Sequence, residues 1–263
     1  MAQMADEKPA KSQLEQLRLT ASSDLPSTPD KRPALEDFDK VVRICVGKEG
    51  NAHVFEMHRG VLKFYSGHFH KAILHLDFGR FPIAEQTIVL DQEEVETFRL
   101  FQGWAYTRAI DPIEPMTAVK LWVFGHRRAI PLLQNEMIDY LWAKVINRSK
   151  LWQHCLVFAY RNTPPGSLLR DFMLTTTVMR SGRPQIFPDT NDGWWTDESL
   201  RDAARMLISR PAIWTQNQME SMDQCYWHVH QEGVKCQASV KNLNDSPVVH
   251  PNRRPLMVGG QAS

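Results

Sequence analysis

Two short runs rich in β-branched and aromatic residues, Val41–Val46 and Ala52–Met57, are separated only by Gly47-Lys-Glu-Gly-Asn51. This is the pattern that most restricts the fold of the chain. A five-residue link with two glycines closes an antiparallel hairpin. The next strand-like run, Thr87–Leu90, comes thirty residues later, too far away for a simple meander. Between them, Val61, Leu62, Phe64, Tyr65 and Phe69 recur at helical spacing and suit two short helices that break near Ser66. After Thr87–Leu90, Asp91 and Glu94 have the spacing of a capping box. Val95, Phe98, Phe101, Trp104 and Ala105 then mark a long amphipathic helix. A three-stranded sheet with helices inserted and appended is an α+β arrangement.

Helical periodicity continues beyond it. Pro112 and Pro115 punctuate a turn, Val119, Leu121, Trp122 and Phe124 lie on one helix, and Pro131 opens another bearing Leu133, Met137, Leu141 and Val145. From Leu151 the pattern becomes all-α. Trp152, Cys155, Leu156 and Ala159 form a stripe, Thr163-Pro-Pro-Gly166 turns the chain, and Ser167 and Thr196 stand where helix caps belong. The expected organisation is a polar, proline-bearing disordered tail over 1–35, an α+β domain over 36–147, a helical extension over 148–232 and a disordered tail over 233–263.

Charge narrows the function classes. Thirty-one Lys and Arg against 30 Asp and Glu leave a net charge of +1, interspersed with no basic stripe. No field of one sign draws this chain to nucleic acid or to an anionic membrane. No apolar run reaches the ~18 residues of a membrane span, and the N-terminus lacks an apolar signal core, so a cytoplasmic or nuclear protein is expected. Four scattered cysteines do not make a disulfide framework; Cys45 and Cys155 read as reduced core residues.

Catalytic patterns are missing from the sequence: no Gly-x-Ser-x-Gly elbow, no phosphate-cradling glycine loop, no His-Glu-x-x-His pair. His58 reads as a structural residue at a strand–helix junction, Trp104 as core, and Tyr106 as a possible platform for a partner. His68, His70 and His75 lack the i,i+4 spacing of a metal pair. One segment has donor chemistry. Cys225, His228, His230 and Cys236 put two thiols and two imidazoles within twelve residues, a donor set suited to tetrahedral zinc. A solvent-exposed tail without metal is the expectation here, zinc the alternative, and no catalytic, cofactor or metal residue is assigned.

The order of elements resembles the BTB/POZ domain. The resemblance is carried by Val41–Val46, His58-Arg59, Leu62, Ser66, Phe69, Leu90-Asp91, Phe98, Trp104-Ala-Tyr106-Thr107, Leu121 to Phe124, and Ala129-Ile-Pro-Leu-Leu-Gln-Asn135. It covers about residues 36–145. Tyr160-Arg-Asn-Thr-Pro-Pro-Gly-Ser167-Leu-Leu-Arg170 looks like the helical extension of fungal BTB proteins, and Cys225-Tyr-Trp-His228-Val-His230 like a segment near their C-termini. The resemblance implies a non-enzymatic protein–protein interaction module, often a homodimer and sometimes a substrate adaptor of a cullin ubiquitin ligase. Dimeric members commonly carry an amphipathic helix before the first strand, where this chain has Pro26, Pro29 and Pro33; the nearest candidate for the adaptors' hydrophobic-x-Glu motif is Ile83-Ala84-Glu85. The rival expectation is a nuclear, transcription-linked protein whose C-terminal segment holds zinc.

Overall fold

The computed structural model describes residues 25–28, 30–78, 86–146, 153–180, 193, 195–209, 217–218 and 221–230. The architecture is α+β: among the described residues, a small three-stranded mixed sheet with eight helices. Strand β1 (Val41–Val46) lies in the middle. It pairs antiparallel with β2 (His53–His58) and parallel with β3 (Thr87–Leu90). The helices are α1 (Arg59–Tyr65), α2 (Gly67–Phe78), α3 (Val95–Thr107), α4 (Pro115–Arg127), α5 (Pro131–Ile146), α6 (Gln153–Asn162), α7 (Leu168–Arg180) and α8 (Asp197–Ser209). Single 3₁₀ turns lie at Leu35–Phe38 and Gln224–Trp227.

The hairpin forms as its glycines require. Gly47 and Gly50 have φ of 99° and 92°, a region costly for other residues, and Asn51 N–H donates to Lys48 O at 3.0 Å. Alternation then decides which face of the sheet is covered. Val42, Ile44, Val46, Phe55, Met57, Ile88 and Leu90 point inward and are buried under helices.

The His58-x-x-x-Leu62-x-x-x-Ser66-x-x-Phe69 spacing now has a physical account. His58 is the extended residue before α1, and its N–H donates to Tyr106 Oη at 2.9 Å. Leu62 is fully buried. Ser66 breaks the helix and caps the next: Phe69 N–H donates to Ser66 Oγ at 3.1 Å, while that hydroxyl donates to Arg128 O at 2.5 Å. Phe69 stacks on Phe101 at 6.1 Å between ring centres. Gly60 completes the junction, because a Cβ there would collide with the Asp37 backbone of the preceding 3₁₀ turn.

The start of α3 differs from the expectation. The helix begins at Val95 and Glu94 stands at its cap position with no side-chain cap bond. Both neighbouring carboxylates are drawn elsewhere: Glu94 to Lys120 Nζ at 2.8 and 2.7 Å, Glu93 to Arg128 at 2.8 Å. Tertiary ion pairs outweigh a local capping box, and Asp91 is left in a turn. Thr196 does cap α8, its Oγ1 accepting from Ser199 N–H at 3.1 Å. The Ser167 hydroxyl, at the corresponding place before α7, is buried with no hydrogen-bond partner among the described residues.

Two further differences concern segments read as tails. Leu25 is buried, and Ser27 O accepts from Asn135 Nδ2 at 2.9 Å, so 25–28 lie against the body of the protein. The segment from Gln224 to His230 is not solvent-exposed either: Trp227 is fully buried. It packs on Trp142 of α5 and Phe172 of α7 at 5.5 and 5.3 Å, with its Nε1–H donating to Asp171 at 2.9 Å. The exposed-tail expectation failed because a sequence window does not show that two helices leave an aromatic slot for this ring. Expectations for residues 1–24, Ile83–Glu85, Trp152, Cys236 and the rest of 231–263 lie outside the described residues.

Candidate functional site

The outer face of the sheet can be read from its register. Side chains opposite one another across β1 and β2, and across β1 and β3, share a face. Three rows follow: His58 and Val41; Glu56, Arg43 and Thr87; Val54, Cys45 and Val89, so Cys45 is half-buried on the outer face and not in the core as expected. Val41, Val54 and Val89 are 50%, 55% and 65% exposed, large values for three valines on one small sheet. No described helix lies over them. The ion pair Arg43–Glu56, at 3.6 Å and mostly exposed, sits between the apolar rows.

At the Val41 end the apolar surface continues onto rings. Phe38 lies 5.3 Å from the His58 ring and 6.3 Å from Tyr106, both of them centre to centre. Tyr106 Oη also contacts His58 Nδ1 at 2.9 Å. Tyr106 is therefore half platform, half structural peg: its ring is partly exposed while its hydroxyl fixes the β2–α1 junction. Leu35, beside Phe38 in the 3₁₀ turn, is 90% exposed. Trp104 belongs to the core, as its place on the stripe predicts; it is fully buried and donates Nε1–H to Glu136.

Buried charges elsewhere are engaged in holding elements together. Arg108 ends α3 in the left-handed conformation, with φ of 58°. Its guanidinium pairs with Glu136 and lies 4.7 Å from the Trp104 ring. Arg128 joins Glu93 to His68 Nε2, the latter at 3.0 Å. Burial, with Arg128 and Lys71 nearby, pushes the His68 pKa down to about 4, so the ring is neutral at physiological pH. Arg170 donates to the carbonyl oxygens of Tyr160, in the last turn of α6, and of Thr163, just past its end, and to Glu198 at 2.7 Å. One side chain thereby closes a helix terminus and ties α6, α7 and α8. None of these arginines was legible as structural from sequence, since a lone Arg in a helix carries no periodic signal.

The C-terminal segment gathers donors. Cys225, His228 and His230 each place a ligating atom so that all three lie within 4.8 Å of one another. Cys225 Sγ is 3.1 Å from His230 Nε2, and His228 Nε2 is 2.9 Å from Asp139 Oδ1. Burial, then the neighbouring His228, holds the His230 pKa below the ordinary imidazole value, with Asp223 opposing. Thus three of the four residues singled out by spacing come together, and Cys236 lies outside the described residues. His70 and His75 do not join any donor cluster among the described residues. No described helix is long and apolar enough to cross a membrane. No protein-family model matches the chain, and no curated protein is significantly similar to it.

Proposed function

We propose that this chain is a protein-interaction module of the BTB/POZ kind that associates with a second copy of itself through the open face of its sheet. The observation that carries this is the exposed set Val41, Val54 and Val89, with half-buried Cys45 among them, flanking one Arg43–Glu56 pair. A face holding one charge of each sign between apolar rows is self-complementary. Turned about a two-fold axis, Arg43 of each copy meets Glu56 of the other, and valine meets valine.

Magnitude limits the strength. Burying the remaining half of three valines on each of two copies yields about 5 kcal/mol gross, at about 1.5–3 kcal/mol per fully buried aliphatic side chain. Association costs at least ~4 kcal/mol in lost freedom, so this face alone supports a weak dimer; Leu35 and Phe38 supply the additional apolar area. Self-association is therefore expected at roughly 100 micromolar rather than nanomolar concentrations.

Sedimentation of the full chain over a concentration series tests it. The weight-average mass should climb towards the dimer, and Val54→Asp with Val89→Asp should hold it at the monomer with an unchanged circular dichroism spectrum. A wild-type chain that stays monomeric throughout, or a dimer indifferent to both substitutions, sinks the reading. The narrower role of substrate adaptor on a cullin ubiquitin ligase is supported by the resemblance alone. Reconstitution with a purified cullin decides that version, absence of a complex setting it aside.

A further inference from the structure

We propose that Cys225, His228 and His230 bind one zinc-class divalent ion, fastening the C-terminal segment onto α5 and α7. The local backbone explains why three residues so close in sequence can aim at one point. Gln224–Trp227 is a 3₁₀ turn, in which residues three apart eclipse, so Cys225 and His228 come to the same side. Asp223 caps that turn by accepting from Cys225 N–H at 3.0 Å, and His228 N–H closes it onto Cys225 O at 3.2 Å. His228 is then extended, with φ −83° and ψ 147°, which puts residue 230 on the same side as residue 228. A tight turn followed by one extended step is the shortest way to converge a thiol and two imidazoles.

The separations fit. Around a tetrahedral zinc, bond lengths of ~2.0–2.3 Å place ligand atoms about 3.3–3.6 Å apart. Here the three lie within 4.8 Å, with the closest pair at 3.1 Å, so shifts of about 1 Å through side-chain torsions bring all three to bonding distance. A chance cluster does not usually have its supports in place as well. His228 directs Nε2 to the Asp139 carboxylate, an acceptor, which keeps the proton on Nε2 and the lone pair on Nδ1. That carboxylate–imidazole arrangement is the one that orients and strengthens a histidine ligand. Asp139 is itself positioned when the Gln224 amide turns its nitrogen towards the carboxylate: that amide then donates to Oδ1 at 3.1 Å and accepts from Trp142 Nε1 at 2.8 Å. Val229, between the two histidines, exchanges a pair of hydrogen bonds with the Asn135 amide, at 2.6 and 3.1 Å. Trp227 anchors the segment from the other side. The protein's own contacts hold the loop at both ends, so the ordering cost of binding is already largely met. Three protein donors leave one position of a tetrahedral ion for water or a further donor. A thiolate with two imidazoles selects zinc, cobalt or copper over magnesium or calcium.

The test uses the full chain purified without chelator. Elemental analysis should return about one zinc per chain. After chelation and dialysis, added Co²⁺ should develop both a thiolate-to-metal charge-transfer band and visible d–d bands, saturating at one equivalent. Cys225→Ser should abolish the charge-transfer band and His230→Ala should reduce Co²⁺ affinity at least ten-fold. Both are compared with chelated wild type by circular dichroism, so that misfolding is not mistaken for lost ligation. Asp139→Ala should keep the charge-transfer band while weakening binding about 10–100-fold, the effect of a positioning residue. Two results overturn the proposal: a purified chain without metal that gives no charge-transfer band with Co²⁺, or stoichiometric metal that survives both ligand substitutions. Neither bears on the dimer, which sedimentation reads separately.

Discussion

Replacing Glu136 by alanine isolates the energetics of the buried pair at the end of α3. The Arg108 side chain is 3% exposed and lies against the Trp104 and Tyr65 rings, at 4.7 and 5.5 Å, so water replaces a lost carboxylate poorly. The same carboxylate accepts Trp104 Nε1–H. Removing it strands a buried guanidinium and a buried indole donor together. Breaking a buried ion pair from one side costs about 3–5 kcal/mol, and an orphaned donor about 1–3. Glu136 is itself 22% exposed, so some solvent reaches the gap and reduces both costs, and about 3 kcal/mol, the lower end of the ion-pair range alone, is expected for the two together. In a folded unit of this size that lowers Tm by roughly 6–12 °C. Arg205→Ala is the matched control: its partner is Asp202 at 3.0 Å, but Arg205 is 76% exposed, and the loss should stay within about 0.5 kcal/mol. Urea denaturation of the two variants and wild type supplies the comparison. A Glu136→Ala loss no larger than the control's would refute the reasoning, because it would mean that solvent compensates Arg108 despite its burial.

Other outcomes follow from particular contacts. Gly60→Ala should push the Leu35–Phe38 turn off α1 and destabilise the chain by about 1–3 kcal/mol, the cost of overpacking; an unchanged urea midpoint would show that the turn moves freely. His68 should make the fold acid-sensitive in a defined window. Its folded pKa is about 4 against an ordinary 6.5, so below pH 6.5 the unfolded chain takes up a proton that the folded one refuses. Stability falls from pH 6.5 to about 4 and the contribution then levels off, with a total of about 2 kcal/mol after allowing for partial exposure. His68→Gln, which retains an acceptor for Arg128, should flatten that slope in urea midpoints measured against pH, and an identical slope would count against it. Burial and Arg127 lower the His126 pKa too, so some acid sensitivity should remain in the variant.

Periodicity made the sheet and helices legible because each buries one face. Val41–Val46 and Thr87–Leu90 alternate or cluster apolar residues over the span that pairs, and the α3 stripe of Phe98, Phe101 and Trp104 is buried. The capping box was misleading, since Asp91 and Glu94 satisfy a local rule that Lys120, twenty-six residues beyond Glu94, overrides. Nothing local announces Arg108, Arg128 or Arg170, whose burial depends on carboxylates and carbonyls brought up by other helices. The donor cluster shows both limits at once. Spacing identified Cys225, His228 and His230, while their placement depends on Trp227 filling a slot between α5 and α7 that no window of sequence describes.

Asn135 shows why the outer segments are not appendages of the sheet-bearing part. Its side chain is almost fully buried, and from α5 it donates to Ser27 O and Val229 O and accepts from Val229 N–H. One amide therefore holds residues that precede the first strand and residues near position 230, separated from it by 108 and 94 positions. The apolar core is continuous in the same way, running from Val42 and Ile44 through Trp104, Leu133 and Trp142 to Phe172, Ala203 and Trp227. An interaction surface requires one face of a sheet to stay uncovered without the sheet losing its shape. The single core meets that requirement: β1 to β3 are backed on their inner face by helices that are themselves backed by α6 to α8, so the outer valines can remain exposed on a rigid support. A metal clasp at Cys225, His228 and His230 would act at the far end of the same core, on the segment whose Trp227 closes it.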